Sequence, residues 1–90
     1  MASTLVQHKV KDFAEWKKVF DSEAKFLSAG GVVGAPQIFR DASDPNSVSI
    51  IQKCSSMELA HKMIESAELK SKMDNAGVLG KPTFTFMNEA

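Results

Sequence analysis

The residues of this chain best equipped for chemistry are two histidines, His8 and His61, one tryptophan, Trp16, and one cysteine, Cys54. An imidazole titrates at about pH 6.5 when unperturbed, so it can orient a ligand or shuttle a proton. His8 lies in a stretch where Thr4, Val6, His8 and Val10 share one face of a strand, and Val10 immediately precedes the first helix. That face is expected to pack against the helices. His8 there either meets a ligand or sits half-buried, bonded to backbone or water. His61 stands one residue after Ala60 and two before Met63, at the border of an apolar helical stripe. Its alternative role is that of a solvated helix residue.

Trp16 falls in the middle of the first helix's apolar stripe. Its indole N–H needs a partner if buried, which could be a ligand, although a core role needs no further explanation. Met57, Met63, Met73 and Met87 could line an adaptable pocket or simply fill the core. Cys54 has no base beside it, only Lys53 on the opposite strand face, so it reads as an inert thiol. Asp41, Asp44 and Asn46 lack calcium-loop spacing and read as turn residues. Gly80-Lys81 is followed by Pro82 and makes no phosphate loop. The histidines lack metal-ligand spacing, and neither a metal nor a cofactor is expected.

The elements that must position these side chains follow from periodicity. The strand over 3–10 leads to Asp12, which stands three residues before Glu15 at capping-box spacing. Phe13, Trp16, Phe20, Ala24 and Leu27 then recur at three- and four-residue steps, predicting one helix of about 16 residues that Gly30-Gly31 ends. A second strand runs from Ala35 to Arg40, with Pro36 marking it as an edge. The turn-rich segment 41–47 joins it in a hairpin to a third strand, Val48 to Lys53. Ser55 and Glu58 form a capping box for the next helix, with Ala60, Met63, Ile64 and Ala67 on one stripe. Leu69, Met73 and Ala76 continue on a shifted stripe, which predicts a break at Ser66. Gly77 stops this helix, and Thr83 to Asn88 form the last strand.

This β-α-β-β-α-β order predicts one α+β domain over residues 1–90, a ferredoxin-like antiparallel sheet of four strands in order 4-1-3-2 with helices on one face. At this length about 60–65% of the unfolded surface can be buried, so self-association would help. Eleven basic residues balance eleven acidic ones. The basic patch of a nucleic-acid binder is missing. A single cysteine excludes an internal disulfide and fits a reducing compartment. Met1 to Leu5 carry no signal-peptide pattern, and no run approaches the roughly 18 apolar residues of a membrane span. The expectation is a soluble, cytoplasmic protein without nucleic-acid or membrane partners.

Adjacent strand residues point to opposite faces, yet each strand holds an apolar doublet: Leu5-Val6, Ile38-Phe39, Ile50-Ile51 and Phe86-Met87. Both faces of the sheet are therefore partly apolar, and two helical segments can cover only one. A homodimer, formed sheet to sheet, is expected to cover the other.

The segment order, the run from Val6 to Lys17 (VQHKVKDFAEWK), the hairpin from Phe39 to Asn46 (FRDASDPN) and the turn from Ser66 to Leu69 resemble the dimeric α/β-barrel superfamily, in its antibiotic biosynthesis monooxygenase-like branch. The resemblance implies a dimeric α/β barrel with a ligand between the sheet and helices of each subunit. It implies activity less firmly. The cofactor-free monooxygenases use an Asn–Trp–Tyr set, and this chain has no tyrosine. The haem-degrading relatives use a helical histidine, for which His61 is the match, but the Trp they place after the third strand is missing. Three readings stay open: a cofactor-independent monooxygenase acting on a small aromatic or apolar substrate, a non-catalytic binding or stress-associated dimer, and a haem-binding protein. For the pocket, His8, Trp16 and His61 combine aromatic body with polar tip, with Phe20 and Phe39 as candidate walls.

Overall fold

The computed structural model describes residues 2–90. Its strands are β1 (Ala2–Val10), β2 (Val32–Arg40), β3 (Ser47–Cys54) and β4 (Val78–Asn88), and its helices α1 (Phe13–Ser22), α2 (Ala24–Ala29), α3 (Met57–Ile64) and α4 (Ala67–Asn75). The strands make one antiparallel sheet in the order β2-β3-β1-β4, which is the expected order read from the other edge. Among the described residues no helix is long and apolar enough to cross a membrane.

The period-2 pattern fixes which face each strand buries. On β1, Ala2, Thr4, Val6, His8 and Val10 are buried, and on β3 so are Val48, Ile50, Gln52 and Cys54. Val6 stands opposite Ile50, and His8 opposite Val48, so these residues form one continuous surface. Trp16 joins Val6, Val10, Val48 and Ile50 in the central cluster, while Leu27, Val32 and Met63 form a second one under α2 and α3.

Several local expectations shift. The first helix is two: Glu23 leaves helical geometry (φ −99°, ψ 17°), and the chain restarts at Ala24. The kink swings Ala24 out to solvent and turns Leu27 in. The cap of α3 is Ser56, whose Oγ accepts from Leu59 N at 3.1 Å, and not Ser55. Ser55 is occupied at the sheet end, where its N–H donates to Gly31 O at 2.8 Å. The break at Ser66 is present, and its hydroxyl caps α4 through Leu69 N at 3.1 Å.

Both edge strands start earlier than periodicity suggested, because each absorbs an irregularity. Val33 pairs with Lys53 and Gln37 with Ile51, so Gly34-Ala35-Pro36 bulge from β2. On β4, Leu79 pairs with Lys9 and Thr83 with Gln7, so Gly80-Lys81-Pro82 bulge likewise. Gly34 (φ 72°) and Gly80 (φ 67°) occupy the left-handed region that glycine tolerates. The two halves of the chain thus carry the same Gly-x-Pro device on opposite edges, where bulges and proline discourage further strand pairing.

Candidate functional site

The helix-facing side of β1 delivers His8 to the interior, and α1 brings an aromatic partner over it. Asp12 caps α1 by accepting from Glu15 N at 3.2 Å. Asn46 ties the junction from below, its Oδ1 accepting from Phe13 N at 3.2 Å and its carbonyl from Val10 N at 2.8 Å. With the helix start held this way, Trp16 lies over the end of β1 and is 2% exposed. Its ring stands edge-on to His8 at 5.5 Å and stacks on Phe20 at 4.9 Å. Such geometries match the quadrupoles of aromatic rings.

Between sheet and helices lies a cavity of about 70 Å³. Val6, His8, Ile50, Gln52 and Phe84 line it from the sheet, Trp16 and Phe20 from α1, and Leu69 and Met73 from α4. Its lining is apolar except for His8, Gln52, and an ion pair between Glu23 and Lys72. An apolar hollow with few polar groups is the usual form of a small-molecule site.

His8 is the chemically unsettled member. It is 7% exposed, and its Nδ1 is buried with no hydrogen-bond partner among the described residues. Burial lowers its pKa below the ordinary 6.5; its own backbone works the other way without overcoming this and without reaching hydrogen-bond geometry. The imidazole is therefore neutral at pH 7, with one nitrogen donating and the other accepting. Cys54 is fully buried, and burial raises its thiol pKa, with the Thr4 hydroxyl acting in the opposite sense. It is an unreactive thiol.

The structure brings together three of the five residues expected at the pocket: His8, Trp16 and Phe20. Phe39 is not among them. It pairs in register with Ser49, on the face away from the helices, and is 52% exposed. Its neighbour Ile38, opposite Ile50, takes the inward place. His61 is also outside the cavity lining. It stacks on Phe86 at 3.8 Å, near the Ala2–Cys54–Ala60 end of the sheet, with Glu65 Oε1 4.0 Å from its Nδ1. Sequence reasoning missed Gln52, Glu23 and Lys72. Gln52 had a signal, being the polar residue on the buried side of β3 in step with Val48 and Ile50. Among the described residues no three His, Cys, Asp or Glu side chains gather to hold a metal ion.

No protein-family model and no curated protein matches the sequence. Solved structures do match in shape. An antibiotic biosynthesis monooxygenase superposes with a TM-score of 0.70 at 15% identity, covering 100% of this chain and 99% of the other. A proposed antibiotic biosynthesis monooxygenase from Bordetella bronchiseptica gives 0.80 at 7% identity, covering 99% and 96%. SnoaB, a cofactor-independent oxygenase from Streptomyces nogalater, gives 0.74 at 13% identity, covering 99% and 92%. Shape is thus shared over nearly the whole length of each while identity is low. The chain has the ferredoxin-like α+β fold of the antibiotic biosynthesis monooxygenase structures.

Proposed function

We propose that this protein is a homodimer in which each subunit binds a small, flat, mostly apolar molecule between sheet and helices, oriented by a hydrogen bond to His8. The observation that carries this is the unpartnered, buried Nδ1 of a histidine that lines an apolar cavity. Leaving such a group unpaired costs about 1–3 kcal/mol, a penalty that a ligand hydroxyl or carbonyl beside it would relieve. Trp16 and Phe20 supply the flat apolar wall that selects an aromatic body.

The dimer is supported by the other side of the sheet. Leu5 faces Ile51 across the strands, and Phe39, Val33 and Leu79 stand 52%, 43% and 50% exposed on strands whose inward neighbours are buried or half-buried. Large apolar side chains left exposed on one face of a sheet suit an interaction site, and sheet-to-sheet packing would bury on the order of 1,500 Å².

The test is a titration with 1-naphthol, followed by thermal shift and calorimetry. The wild type should gain stability, and His8→Ala should lose that gain while sedimenting as the same dimer. A wild type that ignores the ligand, or a His8→Ala variant that responds as the wild type does, contradicts the reading.

A second reading rests on the place of His8 in the cavity lining, where the imidazole could act as a base: proton abstraction from a phenol, followed by oxidation with dioxygen. One oxygen atom would enter the product and the other leave as water. SnoaB, which shares the fold, is a cofactor-independent oxygenase. Oxygen consumption with polycyclic phenols, lost in His8→Ala, would support it; its absence alongside binding would leave a non-catalytic binding dimer. Haem binding through His61 gains no support, because that ring is packed on Phe86 away from the cavity.

A further inference from the structure

We propose that α4 is the lid of the cavity and that the Glu23–Lys72 ion pair is its latch. The proposal rests on the ligand-binding reading above and says how a ligand reaches the site. The cavity measures about 70 Å³. A site that holds benzene needs about 150 Å³, and pockets for larger ligands about 300 Å³ or more. The hollow is partly open to solvent but smaller than these sites, so an aromatic ligand that seats fully in it widens one of its walls.

Anchorage decides which wall. The floor is formed by β1 and β3, the two central strands. Trp16 anchors α1, Leu27 anchors α2, and Ala60 and Met63 anchor α3, all buried. Among the described residues of α4 none is buried. Elements with few buried apolar contacts occupy the low-stability end of a structure and are the ones recruited as lids. The ends of α4 also suit a hinge. Ser66 precedes it in extended geometry (φ −74°, ψ 140°), and Gly77 follows in the left-handed region (φ 85°). The inner side of the helix presents Leu69 and Met73 to the cavity, so displacing α4 opens that wall directly.

One polar contact spans the gap. Lys72 Nζ lies 2.7 Å from Glu23 Oε2, each side chain 28% exposed, and 4.9 Å from the centroid of Phe26. It joins α4 to the kink between α1 and α2, which explains what the break at Glu23 does: it presents a carboxylate across the cavity from the lid. Both side chains are partly buried, so salt screens this pair less than it screens a surface pair.

Hydrogen exchange on the free protein tests the latch without any ligand. Amides of α4 should exchange at least tenfold faster than those of α3. Lys72→Met should speed α4 by a further factor of about three to five, and the control Lys17→Met, which removes a surface pair within α1, should change nothing in α4. Adding 1-naphthol should slow α4 exchange, and stopped-flow quenching of Trp16 should show faster association in Lys72→Met. Exchange in α4 as slow as in α3, or a Lys72→Met variant identical to the wild type, overturns the lid. The expected pattern in the free protein with no protection by naphthol contradicts the ligand reading and leaves the latch standing.

Discussion

The two faces of the sheet are built from the same strands, each strand giving apolar residues to both, yet they are finished differently. On the covered face, Val6, Val10, Val48 and Ile50 are sealed by Trp16, and of the buried polar residues Thr4, His8 and Gln52, the last two line the cavity under the helices. On the open face, Leu5 and Ile51 pair across the strands amid Gln7, Ser49 and Lys53, and both are partly exposed. The contrast teaches that the informative residue is the one out of place. A polar side chain on the buried face points to a ligand, and an apolar one on the open face points to a partner.

Adjacent isoleucines break the comparison most severely. Ile50→Asp places a charge in the core, where Ile50 is 3% exposed, and should prevent folding, since an unpaired buried charge costs several kcal/mol. Ile51→Asp should keep the circular dichroism spectrum of the subunit but convert the dimer to monomer or aggregate on sedimentation. A wild type that is monomeric at micromolar concentration would remove the partner from the account.

Next comes Trp16→Ala, which should cost about 3–5 kcal/mol in denaturant unfolding and abolish naphthol binding. The two phenylalanines that seemed equivalent in sequence give a smaller and sharper contrast. Phe20→Ala should weaken ligand binding with the dimer intact. Phe39→Ala should weaken the dimer with ligand binding intact. The reverse pattern would mean that the faces are misassigned.

The smallest effect is that of pH. The folded-state pKa of His8 lies below 6.5, so the unfolded chain takes up that proton first on acidification. Stability should be complete above about pH 6.5 and fall below it, until the folded imidazole itself protonates. Urea midpoints at pH 7.5 and 5.5 should differ more in the wild type than in His8→Gln.

Much of this was legible in the chain, and the failures have physical reasons. Pro36 identified the edge strand, the four apolar doublets identified two apolar faces, and the phase change at Ser66 identified the helix break, because each is a local property of backbone or period. The side taken by Phe39 was not legible. Ile38 and Phe39 must split between faces, and which one turns inward is set by the register of β2 on β3, with Ile38 opposite Ile50 and Phe39 opposite Ser49, a pairing property that no period-2 count contains. The kink at Glu23 is similar, for the apolar steps run smoothly through it and only the packing of α2 against β2 and α3 bends the helix. Ser55 and Ser56 offer equal capping chemistry, and the sheet decides by claiming the Ser55 N–H. At the site, His8 followed from strand parity and Trp16 from helix phase. The Glu23–Lys72 pair spans 49 residues, a separation that only the assembled fold closes.

The central claim is that His8 meets the ligand. Nitrogen-15 NMR of histidine-labelled protein, titrated with 1-naphthol at pH 7, tests it most directly, because neutral ring nitrogens report their hydrogen bonds separately. The account predicts that one ring nitrogen of His8 shifts as naphthol binds, while both nitrogens of His61 stay in place. A shift at His61 with His8 unmoved would contradict it.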